Sequence, residues 1–108
     1  MQILKSSEEL QQAIANEKIL IVQFGADTCA PCHAIRNKID AWCSNMEDVQ
    51  YLYIPMEAFS ALAAQESVFT VPTIFVYVEG KLTLRESGYF GIDSVFQSIQ
   101  RCREMLQE

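Results

Sequence analysis

The sequence predicts an α/β fold with a central mixed β-sheet, helices on both faces and the element order βαβαβαββα. Three observations lead there. The run Ile19-Leu20-Ile21-Val22-Gln23-Phe24 is apolar but for one residue, as in a strand covered on both sides. From Pro31 onward, Cys32, Ile35, Ile39, Trp42, Cys43 and Met46 recur at offsets that describe one helical face. Near the end, Thr73–Val78 and Leu82–Glu86 flank Glu79-Gly80, which reads as the tight turn of an antiparallel hairpin. Helical crossovers early in the chain and a hairpin late in it together require a mixed sheet.

Taken in order, Gln2-Ile3-Leu4 is a short candidate strand. Ser6 and Glu9 have the spacing of a capping box, and Leu10, Ala13 and Ile14 then fall on one face of a helix that ends near Asn16. Ile19–Phe24 is the first central strand, with Gln23 its one polar residue. The long helix follows, with Pro31 in its first turn, where proline is tolerated. Val49–Ile54 carries the β-branched and aromatic residues of a second strand. Glu57–Glu66 reads as a short helix turning Ala58, Leu62 and Ala63 inward. After the hairpin, Gly88 and Gly91 precede a closing amphipathic helix with Ile92, Val95, Phe96, Ile99, Cys102 and Leu106 on its stripe. No repeat, linker or low-complexity segment interrupts the pattern, so residues 1–108 are expected to form one domain.

Composition narrows the function. Half of the 108 residues are apolar and a fifth are charged, an ordinary globular balance. A formal net charge of −6 argues against nucleic acid or an anionic membrane as a partner. The N-terminal residues lack the apolar core of a signal peptide, and no apolar run approaches the ~18 residues of a membrane span. A cytoplasmic, monomeric protein is the expectation. In that compartment the four cysteines are catalytic, metal-binding or simply buried, and not structural disulfides.

Cys29-Ala30-Pro31-Cys32 sits where the central strand hands over to the long helix. The first N–H groups of a helix have no backbone partners, and the helix dipole is positive there. A thiolate at that point is stabilised, which draws a cysteine below its ordinary value of ~8.5. The thiolate is the attacking species in thiol–disulfide exchange, and a second thiol can then release the mixed disulfide. Cys29, opening the helix, is expected to be the more exposed sulfur, and Cys32, on the stripe with Ile35 and Ile39, the more buried.

Other readings of the same residues stand beside this one. A structural zinc usually needs four ligands, and only Cys43, Cys102 and His33 remain to complete a set. Cys43 lies eleven residues beyond Cys32 on the same predicted helix, roughly 16 Å at 1.5 Å per residue, too far for a shared metal or a disulfide. Cys43 and Cys102 are either core residues or regulatory thiols. His33 completes a Cys-x-x-Cys-His string that literally matches haem attachment. It is otherwise a surface residue, or a cation four positions from Cys29 that favours the thiolate. Asp27 reads as a solvated loop charge and Trp42 as a core or half-buried side chain.

The strand Ile19–Phe24, the Cys29-Ala30-Pro31-Cys32 motif, Val71-Pro72-Thr73, Glu79-Gly80-Lys81 and Gly88 together resemble the thioredoxin family. The resemblance runs from about Ser6 to the end of the chain and implies a thioredoxin-like fold. It implies thiol–disulfide oxidoreductase activity, with Cys29 as nucleophile and Cys32 as resolving thiol. It implies a cis peptide bond before Pro72, with that ring beside the sulfurs and keeping metal away from them. The strand end at Val71 would offer backbone groups to an extended substrate. By the same resemblance Thr28, Ala30, Pro31, Val71 and Gly88 border a substrate groove, with Tyr89 and Phe90 at its far wall or packed in a loop. Gln23 and His33 are the candidates for tuning the redox couple. The implied partners are disulfide-containing proteins and a reductase that the sequence does not identify. No cofactor is implied, because the dithiol is itself the redox centre, and no metal.

Four positions depart from the family pattern. Thr28 stands where a tryptophan is usual, Gln23 where a buried aspartate lies beneath the dithiol, and Tyr53 where a lysine accompanies that aspartate. Asn37 replaces a proline that commonly kinks the active-site helix, so a straighter helix is expected here. Thr28 and Gln23 keep one rival open, a protein-binding module with weak or vestigial redox activity, and Cys29, Cys32 and His33 keep another, a haem or metal carrier.

Overall fold

The computed structural model describes residues 1–88 and 90–107. Its elements are β1 (Gln2–Ile3), α1 (Ser7–Asn16), β2 (Ile19–Gly25), α2 (Ala30–Cys43), β3 (Val49–Pro55), α3 (Ser60–Gln65), β4 (Thr73–Val78), β5 (Lys81–Ser87) and α4 (Ile92–Leu106). The sheet order is β1-β3-β2-β4-β5. Strands β1, β3 and β2 run parallel, and β4 lies antiparallel to both β2 and β5. The predicted element order and the mixed sheet are both present.

Every residue of β2 is buried, as its near-continuous apolar run requires of a strand with neighbours on both edges and helices on both faces. Alternation along the strands divides the core in two. Leu20, Val22, Phe24, Leu52, Ile54, Phe75 and Tyr77 meet Leu10, Ala13 and Ile14 of α1 with Leu62 and Ala63 of α3. Ile19, Ile21, Val49, Tyr51, Ile74 and Val76 meet Ile35, Ile39, Trp42 and Cys43 of α2 with Ile92, Val95 and Ile99 of α4. Trp42 is half-buried and stacks on Phe96, ring centroids 4.4 Å apart. Cys43 is a free thiol inside this second core, where burial pushes it up from its ordinary pKa. Cys102, also free, is half-buried.

Local chemistry moves several boundaries. Ser6 caps α1, its Oγ accepting from the Glu9 N–H at 3.2 Å, but the Glu9 carboxylate accepts from the Lys5 N–H and not from the cap residue itself. Helix α2 runs unbroken to Cys43, and a turn closed by Met46 N–H on the Cys43 carbonyl replaces the expected last helical turn. Helix α3 is shorter than the Glu57–Glu66 expectation. The Phe59 N–H donates to the Pro55 and Met56 carbonyls, so residues 56–59 form a turn and Ala58 is exposed.

Candidate active site

The parallel β2–α2–β3 unit aims the C-terminal end of β2 at the N-terminus of α2, and Cys29 is the N-cap residue there. Its Sγ accepts from the Cys32 N–H at 3.2 Å, occupying one of the unpaired donors of the first turn. The two sulfurs are joined as a disulfide, with Cα atoms 5.3 Å apart. Cys32 is wholly buried, whereas Cys29 is partly exposed and Thr28, Ala30 and Pro31 are exposed around it.

Pro31, Val71, Pro72 and Gly88 line a cleft of about 210 Å³ beside the disulfide-bearing turn. The Val71–Pro72 bond is cis. Gly88 has φ +73°, a left-handed conformation that suits glycine, and its N–H donates to the Pro72 carbonyl at 3.2 Å. Thr28 and Ala30 flank the cysteine turn and are not among the residues lining that cleft. The expectation for Tyr89 lies outside the described residues, and Phe90 is half-buried against the α2/α4 core.

The segment that delivers Pro72 is pinned. The Thr73 hydroxyl donates to the Thr70 carbonyl at 2.8 Å. Arg85 donates to the carbonyls of Glu66 at 2.9 Å and Ser67 at 2.6 Å while lying 4.7 Å over the Phe75 ring. From this braced segment Phe69 projects 75% exposed. Sequence reasoning missed both Arg85 and Phe69. The one available signal was a phenylalanine in a stretch that fits neither helical nor strand periodicity.

Beneath the dithiol, Gln23 is wholly buried. Its Nε2 donates to the Cys32 carbonyl at 3.0 Å, and its Oε1 accepts from the Tyr51 hydroxyl. Both polar ends of the amide are thereby satisfied, which a buried glutamine requires. Burial raises the Tyr51 hydroxyl above the ordinary tyrosine range, the Asp40 charge adding to that and Arg36 opposing it. Tyr53 packs its ring on Gly25, where a Cβ would meet Cζ at 2.7 Å, and Arg36 lies 5.3 Å over the same ring. The Tyr53 hydroxyl is buried with no hydrogen-bond partner among the described residues, and burial raises it too.

His33 is half-buried, its Nε2 2.9 Å from the Asp27 carbonyl. The imidazole ties the loop before Cys29 to the first turn of α2, and the disulfide occupies the sulfurs that haem attachment would need. Among the described residues no group of three or more His, Cys, Asp or Glu side chains is placed to hold a metal ion.

Two sulfurs closing within one helical turn, one reachable from solvent and one sealed, form a reversible two-electron couple. That geometry defines a thiol–disulfide redox protein. The Thioredoxin family model matches residues 2–101, and the chain belongs to the thioredoxin family. Thioredoxin-2 of Saccharomyces cerevisiae is 30% identical over 86 residues, 79% of this chain and 83% of that one. Thioredoxin-1 of Schizosaccharomyces pombe is 27% identical over 78 residues, 72% of this chain and 76% of that one. The X-ray structure of Fasciola hepatica thioredoxin matches with a TM-score of 0.82 and 27% identity, covering 94% of this chain and 98% of that one. The protein is a thiol–disulfide oxidoreductase of thioredoxin fold. The family match and the closed pair favour that activity over a binding module with weak or vestigial redox activity.

Proposed function

We propose that the protein reduces disulfide bonds in protein substrates through Cys29 and Cys32. The observation that carries the assignment is their unequal access: Cys29 caps α2 at the surface, and Cys32 is sealed in the core. In the reduced protein the Cys29 thiolate attacks one substrate sulfur. A Cys29–substrate disulfide forms, the substrate S–S bond breaks, and the first substrate sulfur leaves as a thiolate that takes up a proton. Cys32 then loses its proton and attacks Cys29 Sγ. The Cys29–Cys32 disulfide closes, the Cys29–substrate bond breaks, and the second substrate thiol leaves. Two electrons pass from the dithiol to the substrate.

No bound cofactor enters this scheme. An external dithiol, supplied by a reductase, returns the pair to its reduced form. Pro31, Val71, Pro72 and Gly88 form the wall against which the substrate chain lies, with Thr28 and Ala30 at its rim. Gln23 and His33 set the geometry of the turn around the sulfurs. We take residues 1–108 as one domain, since both cores hang on one sheet. No described helix is long and apolar enough to cross a membrane. The acidic charge and the two free thiols support a monomeric role in a reducing, cytoplasmic setting.

The test is a trap. Cys32→Ser is mixed with a disulfide-bonded peptide and analysed by mass spectrometry under non-reducing conditions. A stable adduct through Cys29 is expected, and iodoacetamide should label Cys29 first in the reduced, unsubstituted protein. Preferential labelling of Cys32, or an adduct on Cys32 in Cys29→Ser and none in Cys32→Ser, reverses the assigned roles.

A further inference from the structure

The buried polar groups under α2 form a continuous run that ends at the attacking sulfur. The Tyr51 O–H donates to Gln23 Oε1, Gln23 Nε2 donates to the Cys32 carbonyl, and the Cys32 N–H donates to Cys29 Sγ. Strand register makes the first contact possible. Ile21 pairs with Tyr51 and Gln23 with Tyr53, so Gln23 and Tyr51 share one sheet face, one strand apart and offset along it. Tyr53 is directly beside Gln23 but its ring is committed to the space over Gly25.

The Cys32 carbonyl only accepts, so the Gln23 amide must turn its NH₂ toward it. That leaves Oε1 facing Tyr51, whose hydroxyl must donate. A flipped amide would set two carbonyl oxygens against each other. We infer that Tyr51 is a positioning residue for the redox couple: by locking the Gln23 amide it holds the Cys32 backbone so that its N–H stays aimed at Cys29 Sγ. This inference rests on the reading of Cys29 as the nucleophile.

In the oxidised protein the disulfide itself constrains the turn. After reduction that covalent link is gone, and the run from Tyr51 adds to the α2 backbone and the His33 N–H on the Cys29 carbonyl in keeping the Cys32 N–H on the Cys29 thiolate, the kind of hydrogen bond that favours the charged form. Because burial keeps Tyr51 protonated, its donor is present across the working pH range. The titratable and charged groups facing Tyr51 are Arg36, Asp40 and Cys43 of α2 and Tyr53 of β3. Asp27, His33 and Glu57 lie around the loop before Cys29. Helix α4 turns Ile92, Val95 and Ile99 into the sheet.

The experiment compares Tyr51→Phe with Tyr53→Phe, two hydroxyl deletions on one strand face, both tyrosines at most 4% exposed. Cys29 alkylation is followed against pH by mass spectrometry, and the dithiol is equilibrated with a glutathione buffer. Tyr51→Phe should lower the alkylation rate at neutral pH at least threefold, move its midpoint upward, and shift the glutathione equilibrium toward the disulfide. Gln23→Met should do at least as much, and adding Tyr51→Phe to it should change nothing further, since coupled residues are not additive. Tyr53→Phe should leave midpoint and equilibrium where they are. A Tyr51→Phe protein with the original midpoint and equilibrium overturns the inference, as does an equal shift in Tyr53→Phe. If Tyr51→Phe does not fold, the Gln23 side-chain amide protons of the unsubstituted reduced protein decide. Slow exchange with solvent supports the locked amide, and rapid exchange refutes it. An unsubstituted protein that does not exchange with glutathione at all would sink the redox reading, and this inference with it.

Discussion

The two faces of the sheet differ in what they are built from. The face under α1 and α3 is mostly apolar, with Leu20, Val22, Phe24, Leu52, Ile54 and Phe75 against Leu10 and Leu62, and Thr73 and Tyr77 as its polar-bearing residues. The face under α2 and α4 has a similar aliphatic base in Ile19, Ile21, Ile39, Ile74 and Ile99. Toward the C-terminal ends of β2 and β3, however, it changes to Gln23, Tyr51 and Tyr53 beneath Cys32. The first face buries the Thr73 hydroxyl and satisfies it on the Thr70 carbonyl. The other must bury polar atoms and satisfy them, and among the described residues it does so for Gln23 and Tyr51 but not for the Tyr53 hydroxyl. Both faces bury an apolar base, and the second adds a run of hydrogen-bonded polar groups beneath the sulfurs.

Substitutions on each face should separate stability from control of the sulfurs. Leu10, 1% exposed on α1, is remote from the sulfurs along the chain and on the opposite sheet face. Leu10→Ala should cost about 3 kcal/mol in a denaturant melt while leaving the glutathione equilibrium of the folded protein unmoved. A shifted equilibrium would show that the two faces are coupled.

Gly25 marks the boundary. A Cβ there would lie 2.7 Å from Cζ of Tyr53, so Gly25→Ala should cost about 1–3 kcal/mol, the usual scale of overpacking. Tyr53→Leu should then cost less in the Gly25→Ala background than alone, because the clash is gone. Equal costs in both backgrounds would place the strain elsewhere.

The smallest effect belongs away from both cores. Arg103 grips Asp48 through two hydrogen bonds of 2.8 and 3.1 Å, and this bonding lowers the Asp48 pKa. A carboxyl lowered in the folded state adds stability above its unfolded value of ~3.9 and loses it as pH falls through the folded value. The pair is partly exposed, so Asp48→Asn should cost only about 0.5–1 kcal/mol at pH 7. The difference from the unsubstituted protein should vanish in acid. A penalty that persists there would mean that packing and not charge holds the pair.

Much of this was legible in the residues. The apolar run of β2, the period of α2 and the Glu79-Gly80 turn carried the element order, because hydrophobic period is set by local geometry. The lone polar residue in β2 marked Gln23. What Gln23 touches was not legible, since Tyr51 becomes its neighbour only through the β2–β3 register, and a tyrosine in a strand is unremarkable on propensity alone. The early end of α2 and the late start of α3 were hidden for a related reason. Both depend on turns closed by particular backbone hydrogen bonds, at Cys43–Met46 and Pro55–Phe59, while the apolar pattern runs on through them. The braces on the Pro72 segment come from Arg85, distant in sequence and brought there by the β4–β5 hairpin.

With Gln23, a hydrogen-bonded amide that cannot accept the Cys32 proton, the face under the dithiol gives up proton-transfer capacity. Gln23→Asp tests this most directly, read by stopped-flow release of a mixed disulfide beside a denaturant melt. An ionised carboxylate cannot donate to the Cys32 carbonyl, so stability should fall by about 1–3 kcal/mol, the scale of a buried polar group left imperfectly satisfied. The same carboxylate can take the Cys32 proton, so release should quicken near neutral pH. A Gln23→Asp protein that releases more slowly, or that is more stable, would show that Cys32 already has another acceptor and would contradict this account of the site.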